Sequence, residues 1–205
     1  MSFDFEAPED VQGDGGNYLS EPGTYHFLVK DVKEGVGPKG NAIDGFSLEL
    51  ETLAGTTDDC KGKVHSETLF APNVTHKETA QLAARRRLAA FFIATDLMGP
   101  SSLGKRQSIE LVNAADRQIV MKLVRQMEKD DDGKFTVPTK YLQIDYASIY
   151  HVDDPEVADI PKDQDAISLI APKFRHEPQW FAFKEKRSAK QPVAAAATKD
   201  DFADL

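Results

Sequence analysis

The sequence predicts a mainly β fold in which three strands, one long helix and two further strands follow one another. Apolar and polar residues alternate in five stretches, near 24–33, 45–53, 63–71, 118–127 and 139–150. Between the third and the fourth stretch lies a run rich in alanine and leucine, which are good helix formers. A five-stranded antiparallel set with one helix between strands three and four is the layout of an OB-type barrel.

We expect the helix to cover residues 75–99. Thr75 and Glu78 have the spacing of a capping box, and Gly99 followed by Pro100 is a stop signal. One face of the helix is apolar and is expected to plug an end of the barrel through Ala84, Leu88, Phe91 and Phe92. Arg85, Arg86 and Arg87 together span about 200° of helix, so we do not predict that they form one phosphate site.

The alternation also predicts which strand residues point inward. The expected core side chains are Tyr25, Phe27, Val29, Phe46, Leu48, Leu50, Ile119, Met121, Leu123, Leu142, Ile144 and Tyr146. The third strand is more polar and could be an edge. Residues 108–115 fit either a strand or a short helix capped by Ser108, and we prefer the helix.

Composition favours one globular domain with tails. The chain has 205 residues, of which 40% are hydrophobic, and no run of 18 apolar residues. A single cysteine, Cys60, excludes an intramolecular disulfide, and the N-terminal stretch lacks the pattern of a signal peptide. We therefore expect a cytoplasmic protein.

The formal net charge of −9 is unevenly distributed. We divide the chain into an acidic flexible arm (1–16), a nearly neutral OB-type domain (17–152), a linker that carries an aromatic and a basic segment (153–198), and an acidic tail (199–205). A neutral domain can still carry a basic groove when its charges are sorted by face.

Basic and aromatic residues on the predicted outer faces suggest nucleic-acid binding, because single strands need cations for phosphates and flat rings for bases. The candidate contacts are Lys30, Lys39, Lys63, Phe70, Lys122, Arg125, Lys134 and Tyr141. Ordinary surface lysines beside core aromatics would give a similar pattern. Whether Trp180 stacks on a base or on the barrel is left open.

The C-terminal tip combines acidic residues with apolar ones. Its members are Asp200, Asp201, Phe202, Asp204 and Leu205. Such a tip fits a partner groove with basic rims and an apolar pocket, and it can compete electrostatically with DNA. A solvated terminus that only aids solubility is the plainer interpretation.

No catalytic motif is present, and we predict neither an enzyme nor a cofactor. Cys60, His65 and His76 lack a fourth ligand and any familiar zinc spacing. The run from Asp130 to Asp132 lacks a calcium-loop pattern. We therefore assign no metal site.

Several stretches resemble single-stranded DNA-binding proteins of bacteriophages. They are EPGTY at 21–25, ELETLAG at the end of strand two, QLAARRRLAAFFIATDLMG in the helix, and the strand that follows Arg117. The resemblance covers about residues 17–155. The tail is similar to the acidic, hydrophobically terminated tails of such proteins, although it ends in Asp204-Leu205 where the commonest bacterial form ends in Pro-Phe.

The resemblance implies sequence-tolerant binding of single strands during phage DNA replication, recombination or repair, with the tail recruiting partner enzymes in the host cytoplasm. An oligomer is left open and no membrane is involved. The alternatives are an OB-type module that binds protein and not DNA, as the net charge would suit, and an enzyme with clustered carboxylates such as a nuclease.

Overall fold

The computed structural model of the protein describes residues 17–99, 102, 104–106, 108–130 and 134–176. Trp180 and the predicted tail from Asp200 to Leu205 lie outside the described residues.

Five antiparallel strands form one sheet. They are β1 (Gly23–Val36), β2 (Ala42–Gly55), β3 (Val64–Phe70), β4 (Gln118–Lys129) and β5 (Phe135–His151). Their order in the sheet is β3-β2-β1-β4-β5. The prediction of five strands with the main helix after the third is confirmed, and β3 is an edge strand. The sheet is open, because no ladder pairs β3 with β5 in the described part of the chain.

The main helix, α1 (Glu78–Ala94), is shorter than predicted. The Thr75 capping box is wrong: Thr75 Oγ1 donates to Asn73 Oδ1 at 2.7 Å, and Lys77 occupies the N-cap without a side-chain bond. At the other end the Thr95 N–H still bonds to Phe91 O, but Asp96 has a φ of 60°. That left-handed residue ends the helix before Gly99.

The predicted core faces are largely confirmed. The inward residues of β1, β2 and β4 are all buried, and α1 packs across the same core. Phe91 is fully buried with its ring 5.5 Å from that of Phe46, while Leu88 and Phe92 are partly buried beside it. The apolar face of the helix therefore packs against the core, but the described sheet is open and the predicted plugging of a barrel end stays a prediction.

Tyr146 is a correction, because the structure exposes half of this side chain where the alternation predicts a core position. Tyr146 has a φ of 55°, and the pairing of β4 with β5 shifts register between Met121 and Leu123. This bulge changes which residues face inward: Ile144 is buried before it and Ile149 after it.

The packed structure continues past residue 152, where the sequence places the domain boundary. Residues 153–176 form a short helix α2 (Gln164–Ser168) and two 3-10 turns, Pro155–Val157 and Pro172–Phe174. This C-terminal segment buries apolar side chains against the outer face of β4, in a second cluster of Val120, Val152, Val157 and Ile167. A third turn, Leu111–Ala114, agrees with the preference for a short helix there.

Candidate nucleic-acid interface

A glutamate side chain links the two edge strands of the sheet, β3 and β5. Glu67 on β3 accepts the Ile144 N–H of β5 at Oε2, over 2.9 Å, and the Thr68 N–H at Oε1, also over 2.9 Å. Because the intervening strands alternate in direction, β3 and β5 run the same way. We call the line between the edges of β3 and β5, which this bond bridges, the seam.

Three exposed aromatic side chains flank the seam. Tyr141 is 60% exposed, Phe70 55% and Tyr146 50%, although aromatic rings on strands usually pack inward. Phe70 and Tyr146 follow the Glu67–Ile144 bond along their strands, while Tyr141 precedes it. The three rings therefore lie at different positions along the seam. A strand as long as β3 extends over about 20 Å.

Gly45 helps to leave the Phe70 ring uncovered. It pairs directly with Phe70 across β2 and β3, and it has no side chain to lie over the ring. Its φ is 146°, and a Cβ added there would fall 2.2 Å from Leu69 O and 2.8 Å from Phe70 Cα. Glycine is thus required at this close approach of two strands.

Residues 17–19 extend the other end of the seam. The Val64 N–H donates to Asn17 O at 2.8 Å, and the Leu19 N–H donates to Val64 O at 3.0 Å. Tyr18 forms a parallel bridge with Val64 and is exposed. It adds a fourth exposed ring near the start of β3.

Tyr146 is held in place by two residues of the arginine run on α1. Arg86 Nη1 donates to Tyr146 Oη at 3.0 Å, and Arg87 Nε donates to the Tyr146 carbonyl at 2.6 Å. Neither bond neutralises the guanidinium charge, because both acceptors are uncharged. Arg86 therefore brings a positive charge to an exposed ring.

The predicted cations divide into two groups. Three of them pair with carboxylates: Lys30 with Glu51 at 3.1 Å, Lys122 with Asp145 at 2.6 Å, and Arg125 with Glu21 at 3.1 Å. The hydrogen bond that Lys122 Nζ donates to the Asp145 carboxylate raises the pKa of Lys122. The charges of these three cations are already neutralised by carboxylates of the fold. Each cation would therefore have to break an ion pair to bind a phosphate.

The second group is Lys39, Lys63 and Lys134, which have no carboxylate within 4.0 Å among the described residues. Lys63 directly precedes β3, and Lys134 directly precedes β5. Lys39 lies in the β1–β2 loop, which leads into the part of β2 where Gly45 pairs with Phe70. Of the eight predicted contacts, Phe70 and Tyr141 lie on the two strands that border the seam, Lys63 and Lys134 directly precede these strands, and Lys39 lies in the β1–β2 loop.

The outer face of β1 and β2 is a poorer candidate for a nucleic-acid surface. Asp31, Glu49 and Glu51 lie there, and the nearby Lys33 is 3.3 Å from Asp31. Together with Lys30 this gives two lysines against three acids, so the face lacks the positive charge that non-specific binding requires.

Sequence reasoning missed Tyr18, Arg86 and Tyr146 as seam residues. One signal was available: Ile144 and Ile149 are five positions apart, so both cannot face the core of a regular strand. That conflict predicts a bulge between them, which is where Tyr146 turns outward.

The three residues weighed as zinc ligands differ in burial. Cys60 and His65 are buried, whereas His76 is exposed. Within the described ranges, no group of three His, Cys, Asp or Glu side chains could hold a metal ion. Among those same residues, no helix has the length and apolar character needed to cross a membrane.

Comparison with known proteins adds no assignment. Neither a scan against models of protein families nor a search of curated proteins finds a match to this chain.

Proposed function

We propose that the chain binds single-stranded DNA with little sequence preference along the seam, and that it protects the strand during phage DNA replication, recombination or repair in the host cytoplasm. The observation that carries this proposal is the row of exposed rings, Phe70, Tyr146 and Tyr141, beside cations whose charge no carboxylate neutralises among the described residues. Rings stack on bases of any sequence, and cations attract the backbone.

In this proposal the sheet and α1 form an OB-type barrel. Its closure between β3 and β5 is made by the Glu67 carboxylate, which takes the place of a backbone ladder. Strand two, strand three and the adjoining loops are the usual oligonucleotide surface of that fold. The seam borders β3 and runs between the β1–β2 loop and the β4–β5 hairpin, which agrees with that placement.

The direct test is a titration of the protein with labelled oligo-dT and with a duplex of equal length, at two salt concentrations. We expect tighter binding of the single strand and a loss of affinity as salt rises, since phosphate neutralisation releases counterions. Equal binding of both forms, or binding that salt leaves unchanged, would contradict the proposal. In that case the protein-binding alternative would be favoured.

The seam can be tested against the paired cations by alanine substitution. Phe70→Ala, Tyr141→Ala and Tyr146→Ala should each weaken oligo-dT binding by about 1–3 kcal/mol, the usual contribution of one stacked base. Lys63→Ala should also reduce the dependence of log affinity on log salt by about 0.7. The affinity is measured by fluorescence anisotropy.

Lys122→Ala is the matched control for Lys63→Ala, because Lys122 is exposed on a neighbouring strand but already paired with Asp145. Its effect on affinity should be small. A larger loss with Lys122→Ala than with Lys63→Ala would place the strand elsewhere on the sheet.

For the tail we propose partner recruitment and competition with DNA. Deleting residues 200–205 should leave oligo-dT affinity intact or raise it, because three acidic residues are removed, and should abolish the pull-down of replication or recombination proteins. Replacing Asp200, Asp201 and Asp204 by asparagine separates the two effects, since it removes charge and retains Phe202 and Leu205. A large fall in DNA affinity on deletion would refute the competition.

A further inference from the structure

A groove of about 630 Å³ lies away from the seam, where the C-terminal end of α1, the turn Leu111–Ala114 and the C-terminal segment meet. Its lining is largely apolar and unusually exposed. Leu169 is 84% exposed and Val112 73%, and Leu28, Leu53 and Phe174 continue the apolar surface. A concave apolar surface of this size is typical of a binding site.

We propose that this groove binds residues 178–183 of the same chain, the sequence PQWFAF, with Trp180 and Phe181 as its apolar anchors. The described chain reaches His176 at the wall of the groove. His176 Nε2 lies 3.0 Å from Asp96 Oδ1, and both Asp96 and Phe174 line the groove. Four extended residues span about 13–14 Å, so Trp180 is within reach of the lining.

Charge selects this occupant over the acidic tip. Among the described residues, the groove contains the carboxylates of Asp96 and Asp116 and one cation, Arg117, which lies over the Phe174 ring at 3.3 Å. Residues 178–183 carry no formal charge, whereas residues 200–205 carry three acids. Like charges in a partly enclosed groove repel, so the tip is the poorer ligand.

Chain length favours the same occupant. Residues 178–183 begin two positions after His176, whereas the tip begins more than 20 positions after it. The effective concentration of a tethered ligand falls steeply once the tether exceeds the distance to be spanned. The nearer, aromatic segment therefore competes better for the groove than the tip or a second copy of the chain.

Trp180 is the only tryptophan, so its fluorescence reports on this site directly. In the full-length chain we expect Trp180 to be shielded from acrylamide. Leu169→Asp and Val112→Asp place a charge in the groove at exposed positions, and each should raise the quenching constant to that of the urea-unfolded chain. Val74→Asp, at an exposed position in the loop before α1 that does not line the groove, should leave the shielding unchanged.

Three outcomes in the absence of DNA would overturn the proposal. They are a wild-type Trp180 as accessible as in urea, shielding that survives both groove variants, and shielding that appears only as protein concentration rises. Saturating oligo-dT should leave the quenching of Trp180 unaltered, and strong protection by DNA in the Leu169→Asp variant would instead assign Trp180 to the nucleic acid. Thermal unfolding followed by circular dichroism checks that each variant folds.

Discussion

The Phe91→Ala variant should be less stable than the wild type by about 3–5 kcal/mol, the usual cost of removing a buried phenyl ring. Phe91 is fully buried, and its ring centroid lies 5.5 Å from that of Phe46 and 5.9 Å from that of Phe92. Phe46 is held on β2 and Phe92 on α1 itself, so the space left by the ring cannot fully collapse. Urea unfolding at pH 7, followed by circular dichroism, measures the difference.

Leu82→Ala is the matched control, because Leu82 is exposed on the same helix. Alanine and leucine differ little in helix propensity, so this variant should change stability by less than about 0.5 kcal/mol. Equal losses in the two variants would mean that α1 is not anchored through Phe91. The comparison also tests whether the helix plugs the core, as its sequence predicts.

The strands and the helix could be predicted because their signals are local. Alternation at Phe46, Leu48 and Leu50 marks an inward face within one stretch of chain, and the structure buries all three. The two ends of the helix were harder to predict from the sequence. Thr75 has the right spacing for a capping box but bonds to Asn73, a choice that depends on the conformation of the loop before the helix.

The seam could not be derived from strand patterns alone. Whether a lysine is available to a phosphate depends on the carboxylate beside it, and that carboxylate is distant in sequence. Lys122 pairs with Asp145 only because β4 lies next to β5, and Lys30 pairs with Glu51 only because β1 lies next to β2. The sequence therefore predicts the residue types of the interface better than its individual members.

The packing of the C-terminal segment could not be predicted from the sequence for a related reason. Residues 153–166 are rich in acids and resemble a linker by composition. Val157 and Ile167 are nevertheless buried in one cluster with Val120 and Val152, and Val120 lies on a face of β4 that the alternation assigns to the exterior. An outward-facing valine such as Val120 indicates that another segment covers the strand only when the apolar residues that pack on it are known.

Acid should weaken the attachment of the C-terminal segment, because two buried histidines hold this segment by accepting backbone hydrogen bonds. His26 Nδ1 accepts the Asp163 N–H at 3.1 Å, and His151 Nδ1 accepts the Asp153 N–H at 3.1 Å. At the other ring nitrogen, His26 Nε2 donates to the Gln118 side chain and His151 Nε2 to the Phe174 carbonyl. Both rings therefore act as neutral imidazoles, and protonation at Nδ1 would remove the acceptor.

The direction of the pH effect follows from the two pKa values. Burial lowers the pKa of His26 to about 4, and burial together with the neighbouring His176 ring lowers the pKa of His151 to about 4. In the unfolded chain a histidine titrates near 6.5. Between pH 6.5 and 4 the unfolded state therefore binds protons that the folded state does not, and stability falls as pH falls.

At pH 5 this linkage amounts to about 2 kcal/mol for each histidine, or about 4 kcal/mol for the pair relative to pH 7.5. Asp153 and Asp163 also have lowered pKa values, so their contribution is lost in the same direction and at lower pH. A variant that removes one histidine isolates its share. In His26→Gln the fall between pH 7.5 and pH 5 should be smaller than in the wild type by about 2 kcal/mol.

The measurement is urea unfolding at several pH values, compared as a slope within each variant so that any direct cost of the substitution cancels. His76→Gln serves as the control, since His76 is exposed and its variant should follow the wild-type curve. An unchanged slope in His26→Gln would show that the His26 ring is not held neutral in the folded protein. A reduced slope would establish that the C-terminal segment is held on β4 by histidine rings that must stay uncharged. Neither the acidic composition of the segment nor the strand pattern reveals this requirement.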